Sequence, residues 1–164
     1  MNIFEGTFDG AGLAIAIVAS RFNCQCTEML LKGSHDCLIR HNVEDKKIDT
    51  YWVAGSFEIP FILRKIADTK KYHGIIALGA IIRGETLHYE LISNEVIKGI
   101  AHLNLSTPVP ISFGILTTDT LEQALNRSGA KSGNKGFEAA LSLLEQINIS
   151  KMVTKKQKES LYAS

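Results

Sequence analysis

One stretch decides the fold: Gly74-Ile75-Ile76-Ala77-Leu78 leads directly into Gly79-Ala80-Ile81-Ile82-Arg83-Gly84-Glu85-Thr86-Leu87-His88-Tyr89. The apolar run is typical of a fully buried β-strand. Apolar residues then recur at helical spacing, at Leu91, Ile92, Val96, Ile97, Ile100 and Ala101. A glycine, a threonine and a histidine therefore lie where a strand ends and a helix begins. Open α/β sheets bind ligands at this edge, and the free N–H groups of a helix start favour an anion, so the stretch predicts a phosphate-handling site.

The rest of the chain repeats this order of strand and helix. We predict further strands at residues 13–18, 48–53 and 110–116, and helices at residues 24–40, 58–70, 88–103 and 136–147. A short helix should begin near Thr120, because Thr120 and Gln123 have the spacing of a capping box. The βαβαβαβα order predicts one α/β domain, with a four-stranded parallel sheet covered by helices on both faces.

The composition is that of an ordinary globular domain. At 164 residues the chain is long enough to bury a real core, and its net charge of +1 gives no general attraction to nucleic acid or to a membrane. No apolar run approaches the roughly 20 residues that span a bilayer. The amino terminus lacks the basic and then apolar pattern of a signal peptide, so we expect a cytoplasmic protein.

The cysteines and histidines form no cofactor pattern. Three cysteines cannot complete a disulfide framework, and Cys24 and Cys26 have no second pair of ligands that would make a zinc site. We interpret Cys24, Cys26 and Cys37 as reduced, structural thiols, with a redox role as the alternative. None of the five histidines has a metal-ligand spacing, so no metal is expected.

Two terminal segments lie outside the strand and helix pattern, which leaves residues 11–150 as the domain. Residues 1–10 form an extension in which Ile3, Phe4 and Phe8 need a partner surface, such as another subunit. Residues 151–164 form a basic tail that we predict to be solvated or disordered, with nucleic-acid contact as the alternative.

Chemically active residues follow each predicted strand. Because the carboxyl ends of parallel strands share one edge of the sheet, these residues should meet there. They are Ser20-Arg21-Phe22-Asn23, Gly55-Ser56-Phe57-Glu58-Ile59-Pro60, Gly84-Glu85-Thr86-Leu87-His88, and Phe113-Gly114 with Thr117-Thr118. The mixture of aromatic, carboxylate, hydroxyl and imidazole groups suits a flat polar heterocycle with a hydroxylated arm.

Three of these residues leave two interpretations open. His88 is placed in the first turn of a helix, where the macrodipole keeps imidazole neutral and available as a base, but a solvated surface histidine fits equally well. Glu58 either faces a ligand or only complements the dipole at a helix start. Phe22 either stacks on a ligand ring or fills the core.

The segment at residues 126–136 is a second candidate anion site. Its glycines let the backbone approach a ligand, and Arg127, Lys131 and Lys135 supply positive charge. It is not a Walker A loop, because its glycines are spaced differently and follow a short helix. No Gly-x-Gly-x-x-Gly follows the first strand either, so a dinucleotide site is not expected. A basic connection between two helices is the alternative.

Taken together, five blocks resemble the lumazine synthase family of riboflavin biosynthesis. They are Ser20-Arg21-Phe22-Asn23, Gly55 through Pro60, Ile82 through Tyr89, Phe113 through Thr118, and Arg127 through Gly136. The resemblance implies a flavodoxin-like subunit and a transferase that needs no cofactor. Its reaction condenses 5-amino-6-(D-ribitylamino)uracil with 3,4-dihydroxy-2-butanone 4-phosphate, releasing phosphate and water, in the penultimate step of the pathway.

The resemblance also implies a role for each site residue. Phe22 would stack on the pyrimidine, and Phe113 would form a wall of the ring pocket. The ribityl arm and the ring would be held by Ser56, Phe57 and Glu58, with help from the main chain of Ala80, Ile81 and Ile82. Glu85 and Thr86 would bind the phosphate together with Arg127, Lys135 would support that charge, and His88 would transfer protons. Since a carboxylate repels phosphate, we expect the N–H of Glu85 to face it and the side chain to point away.

An assembly is implied as well. Family members form pentamers, some of which build a shell of sixty subunits, with the active site between neighbours and the amino-terminal strand added to the next subunit's sheet. Riboflavin synthase is the protein partner that the family suggests. Two other functions stay open: a flavin-binding or cage protein without turnover, which should have lost His88 or Arg127, and a related transferase such as a riboflavin synthase on the same fold.

Overall fold

Strands and helices alternate along the chain in the computed structural model, which describes residues 1–131 and 133–162, with side chains through Lys155. The strands are β1 (Ile15–Ser20), β2 (Ile48–Val53), β3 (Gly74–Ile82) and β4 (Ile111–Thr118). The helices are α1 (Cys24–Arg40), α2 (Ile59–Asp68), α3 (His88–Ser106), α4 (Leu121–Leu125) and α5 (Lys135–Tyr162). Ser132 of the predicted anion segment and Ala163 and Ser164 of the predicted tail lie outside the described residues.

The strands form one parallel sheet in the order β2-β1-β3-β4. The chain runs outward from β1 in one direction and, after β2, crosses back to add β3 and β4 on the other side. The point where the direction reverses therefore lies between β1 and β3, and in such sheets a crevice opens there beyond the carboxyl ends of the strands. The predicted α/β class, with its four-stranded parallel sheet, is confirmed.

The two central strands, β1 and β3, are buried on both faces, as is typical of parallel sheets. Ile15 and Ile17 of β1 point to the face covered by α1 and α5, and Ala16 and Val18 point to the face covered by α2 and α3. All four side chains are completely buried. Burial on both faces explains why the sequences of β1 and β3 are continuous apolar runs and do not alternate between apolar and polar residues.

Several predicted boundaries are confirmed and others shift. The structure reproduces the predicted residues of α1 and β2, and Thr120 caps α4, with its Oγ1 accepting from the N–H of Gln123 at 3.2 Å. The third and fourth strands continue beyond their predicted ends to Ile82 and Thr118, because these two segments pair with each other along their whole length. The helix predicted to end near residue 147 is the largest difference.

Helix α5 continues from Lys135 to Tyr162, so most of the segment predicted as a solvated or disordered tail is helical in the structure. No glycine or proline follows residue 147, and the lysine, glutamine and glutamate residues of this segment are good helix formers. Its apolar side chains Met152 and Val153 are exposed.

The amino-terminal residues 1–9 form no strand and lie against their own subunit. The side-chain amide of Asn148 in α5 donates to the carbonyl oxygens of Thr7 and Asp9, both at 2.9 Å. The ring of Phe8 packs edge-on against that of His41, with centroids 6.2 Å apart. Addition of this segment to a neighbouring sheet stays a prediction.

Candidate active site

A cleft of about 500 Å³ opens at the carboxyl edge of the sheet, beyond the ends of β1, β2 and β3. It therefore lies at the reversal point of the strand order, where the topology predicts a ligand site. The lining residues come from four segments: Phe22, Ala54 through Glu58, Ala80 through Ile82, and Gly84, Thr86, His88, Tyr89 and Ile92. Most of the residues predicted from the sequence thus share one cavity.

The loop after β1 carries Phe22 into this cleft. The N–H groups of Arg21 and Phe22 donate to the carbonyl oxygens of Val53 and Ala54 at 2.8 and 3.0 Å, which fixes the loop against the end of β2. The side chain of Phe22 is 72% exposed. The alternative that Phe22 fills the core is therefore wrong, and its ring is free to contact a ligand.

The structure agrees with both interpretations of Glu58, because its carboxylate lies at a helix start and also lines the cleft. Its Oε2 accepts a hydrogen bond of 2.9 Å from the N–H of Gly55, and this closes the single helical turn Ser56–Glu58 ahead of α2. Its side chain also lines the cleft, beside the exposed ring of Phe57. A fixed carboxylate next to an aromatic ring suits a polar heterocycle.

Gly79 and Ser20 lie close together near this cleft, a contact that the sequence analysis did not predict. A Cβ atom on Gly79 would lie 2.8 Å from the Oγ of Ser20 and 2.9 Å from the Oγ of Ser56, so only glycine fits there. The Oγ of Ser20 is buried and has no hydrogen-bond partner among the described residues. Gly79 therefore lets two hydroxyl groups approach β3 closely, and one of the two, that of Ser56, belongs to a lining residue.

The segment after β3 places Thr86 and His88 on the cleft wall. His88 is the first residue of α3 and is exposed, and no side chain in the described part of the chain caps the start of that helix. Gly84 and Thr86 line the cleft whereas Glu85 between them does not, and the orientation of Glu85 toward a phosphate stays a prediction. The uncapped N–H groups give this wall a partial positive charge.

The remaining predicted site residues lie in a different place. Phe113, Arg127 and Lys135 line a groove of about 550 Å³ between β4 and α5, and none of them lines the cleft that holds His88. Arg127 and Lys135 also border an adjoining groove of about 400 Å³ that includes Lys131. One chain therefore does not bring His88 and Arg127 into a common site.

The second groove is basic. Arg127 is exposed and forms no ion pair with any residue that the structure describes, whereas Lys135 pairs with Glu138 at 2.5 Å. The segment that carries these charges is a structured connection. Asn134 holds it, because its side chain donates to the carbonyl oxygens of Met29 and Ser128 and accepts from the N–H of Gly136. Gly129 adopts a φ of 116°, which a residue with a side chain rarely does.

Residues that the sequence analysis missed complete the cleft. Ala54 directly follows β2, and Tyr89 and Ile92 lie within one turn of His88 on α3. Helical spacing from His88 would have found Ile92, since residues four apart share a face. Asn134 carried no such signal, because the sequence does not reveal which distant carbonyl groups its amide reaches.

The burial of two of the three cysteines agrees with a structural role for their thiols. Cys26 and Cys37 are buried, and burial raises the pKa of both, that of Cys37 to about 11. Cys24 is exposed at the start of α1. Within residues 1–131 and 133–162 we find no cluster of three or more potential metal ligands, and no helix there has the length and apolar character needed to cross a membrane.

Comparisons with known proteins agree with this geometry. The family model described as 6,7-dimethyl-8-ribityllumazine synthase matches residues 12–151. A protein of Kosmotoga olearia named 6,7-dimethyl-8-ribityllumazine synthase is 58% identical over 153 residues, which cover 93% of this chain and 98% of that protein. The match includes every residue of the cleft and of the basic groove.

Proposed function

The chain belongs to the 6,7-dimethyl-8-ribityllumazine synthase family, and from that premise we propose that it catalyses the condensation of 5-amino-6-(D-ribitylamino)uracil with 3,4-dihydroxy-2-butanone 4-phosphate. One observation carries the proposal: the cleft at the β1/β3 reversal point collects an aromatic ring, a carboxylate, a hydroxyl and an imidazole from three separate segments. These groups match the chemistry of both substrates.

The pyrimidine is proposed to lie against Phe22, with Ser56, Phe57 and Glu58 around its ring and ribityl arm. The exposed ring of Phe22 and the Glu58 carboxylate, fixed by Gly55, support this placement. Ala80, Ile81 and Ile82 line the same cleft at the end of β3, and their main chain is proposed to help hold the ring and the ribityl arm.

The phosphate is proposed to bind at the start of α3, to the N–H groups near Glu85 and Thr86. Uncapped helix N–H groups and the macrodipole favour an anion there. Holding the phosphate keeps the leaving group in place until it departs. His88 borders the same wall, within reach of the carbon atoms of the phosphate-bearing substrate.

The chemistry follows from these positions. The amine of the pyrimidine attacks the ketone and forms an imine with loss of water. Removal of a proton from the carbon next to the imine then expels phosphate from the following carbon. After tautomerisation the ribityl-bearing nitrogen closes the ring with loss of a second water. His88 is proposed to transfer these protons, while most of the rate enhancement comes from positioning the two substrates.

Phe113, Arg127 and Lys135 are proposed to complete the site from a neighbouring subunit. In one chain they line a groove separate from the cleft, so only a second copy brings them to His88. Large apolar side chains beside the cleft support such an interface, since Phe57, Leu87 and Leu91 are all more than 60% exposed. We propose a pentamer, with the amino-terminal segment joining the next subunit. A shell of sixty subunits and riboflavin synthase as a partner are further proposals from the family resemblance.

The test is to mix the purified protein with both substrates and to follow the fluorescent lumazine together with free phosphate. We expect formation of one phosphate per lumazine at a rate well above the uncatalysed background. Tight binding of lumazine or riboflavin without acceleration would instead favour a binding or cage protein that has kept the fold.

A further inference from the structure

Arg83 lies at the junction of three elements. Its N–H donates to the carbonyl oxygen of Thr118 at 2.9 Å and so extends the pairing of β3 with β4 by one residue. Its guanidinium Nε lies 3.0 Å from Oδ1 of Asp119 in the turn after β4. Its Nη2 lies 3.5 Å from Oε1 of Glu90, and its Cζ lies 5.3 Å from the ring centroid of Tyr89, both in the first turn of α3.

The loop that Arg83 begins has few contacts of its own. No hydrogen bond joins Gly84, Glu85 or Thr86 to another element in the part of the chain that the structure describes, and their side chains are exposed. A Cβ atom on Gly84 would meet nothing within 4 Å. This same loop carries Thr86 to the cleft and ends at His88. Its geometry therefore depends on how its two ends are held.

We propose that Arg83 is a positioning residue for the reaction. It ties the start of the loop at residues 84–87 to Glu90 in the first turn of α3, and so fixes the positions of Thr86 and His88. The inference rests on the proposed function. Joining the ends of a flexible loop lowers the entropy that the loop loses when it orders around a ligand. Arginine suits this task, because its planar fork reaches two carboxylates at once and stacks on an aromatic ring, whereas a lysine ammonium presents one point charge.

Direct phosphate binding by Arg83 is the competing role, and the local charges argue against it. Asp119 and Glu90 together place two negative charges around one guanidinium. They neutralise it and would repel a phosphate that approached it. The two roles also predict opposite effects for the removal of Glu90, because a positioning role needs the Glu90 carboxylate, whereas an anion-binding role is hindered by it.

The experiment compares Arg83→Gln, Glu90→Gln and Asp119→Asn with the matched control Arg64→Gln, which removes a similarly exposed pair between Arg64 and Asp68 on α2. Two readouts are taken on the full assembly. The first is hydrogen exchange of the peptide that covers residues 88–92, in which the N–H groups of Glu90 and Leu91 donate to the carbonyl oxygen of Leu87 at the end of the loop. The second is KM for each substrate. We expect Arg83→Gln and Glu90→Gln each to raise the exchange rate of this peptide and KM for the phosphate-bearing substrate about two- to fivefold, as loss of exposed ion pairs allows. KM for the pyrimidine and the control variant should change less than about twofold.

Two results would overturn the proposal. Unchanged exchange of the peptide at residues 88–92 in both Arg83→Gln and Glu90→Gln would show that the tie does not hold the end of the loop. A lower KM for the phosphate-bearing substrate in Glu90→Gln, with a higher KM in Arg83→Gln, would assign Arg83 to the phosphate itself. A wild-type protein that forms no lumazine would refute the proposed function separately, and the exchange measurement would still decide whether Arg83 holds the loop.

Discussion

The side-chain amide of Asn23 donates a hydrogen bond of 2.8 Å to the carbonyl oxygen of Ala80, and this bond joins the end of β1 to the end of β3 beside the cleft. Asn23 directly precedes α1 and has a positive φ of 59°, yet its side chain does not cap that helix. Asparagine tolerates this backbone conformation better than most residues and usually caps a helix start. The positive φ and the missing cap both accompany the hydrogen bond to Ala80, and this bond holds the loop that carries Phe22.

This link predicts a difference between two replacements of Asn23. Asn23→Gly keeps the positive φ but loses the amide, whereas Asn23→Asp keeps the size and places a carboxylate oxygen against the carbonyl of Ala80. We expect Asn23→Asp to lower the free energy of unfolding by about 1–3 kcal/mol, the usual cost of an unsatisfied partner, and to raise KM for the pyrimidine. Denaturant unfolding and kinetics of both variants check this, and wild-type values in Asn23→Asp would show that the link is not needed.

Arg127 should act on one substrate only. Because it carries no ion pair among the described residues, its charge is available to a ligand. We expect Arg127→Ala to raise KM for the phosphate-bearing substrate about 10- to 100-fold, the range for a lost charge-assisted hydrogen bond, and to leave KM for the pyrimidine within about twofold. Arg127→Lys, which keeps the charge, should lose less. Equal weakening of both substrates by Arg127→Ala would indicate a structural role.

Ser20 and Gly79 should respond to substitution as a pair. The buried Oγ of Ser20 has no hydrogen-bond partner in the described part of the chain, so Ser20→Ala should leave the free energy of unfolding unchanged or raise it by up to about 1 kcal/mol. Gly79→Ala places a methyl group against the hydroxyls of Ser20 and Ser56 and should cost about 1–3 kcal/mol. The double variant should recover part of this cost. Additive effects in the thermal or denaturant unfolding of all three variants would contradict the predicted close contact.

The thiols should differ in reactivity. Burial raises the pKa of Cys37 to about 11 and also raises that of Cys26, so at pH 8 both remain protonated and unreactive as nucleophiles. Cys24 is exposed. We expect a disulfide-exchange reagent to modify Cys24 alone in the native protein and all the thiols after denaturation. The folded Cys24→Ser variant should therefore show no fast reaction with the reagent. A thiol that reacts fast in that variant would contradict the burial of Cys26 and Cys37.

The sequence predicted the sheet well because burial on both faces leaves an unambiguous pattern. The runs at Ile15 and Ile75 are apolar without interruption, and the switch to helical spacing after His88 marks the carboxyl edge of β3. Knowing that edge was enough to predict that Phe22, Glu58, Thr86 and His88 lie together, since parallel strands end on one side. The end of α5 was not predictable in the same way, because good helix formers follow residue 147 and no glycine or proline marks an end there.

What the pattern could not predict are contacts that depend on distance in space rather than on spacing in sequence. Asn134 reaches Met29 across 105 residues, and Asn23 reaches Ala80 across 57. The separation of Arg127 from His88 belongs to the same class. The sequence pattern indicates which chemical groups a site needs, but it does not show whether one subunit or two subunits supply them.

A mixed assembly tests most directly the claim that the reaction occurs at a site shared by two subunits. His88→Ala and Arg127→Ala subunits are co-expressed, with mixing verified by native mass spectrometry, and each variant alone serves as its own baseline. His102→Ala is the control for loss of an exposed α3 histidine outside the cleft and should keep full activity. If each site joins the cleft of one subunit to the basic groove of the next, random mixing leaves about a quarter of the sites with both native halves. Lumazine formation well above both single variants is the predicted result, and a mixed assembly no more active than either variant alone would contradict a shared site.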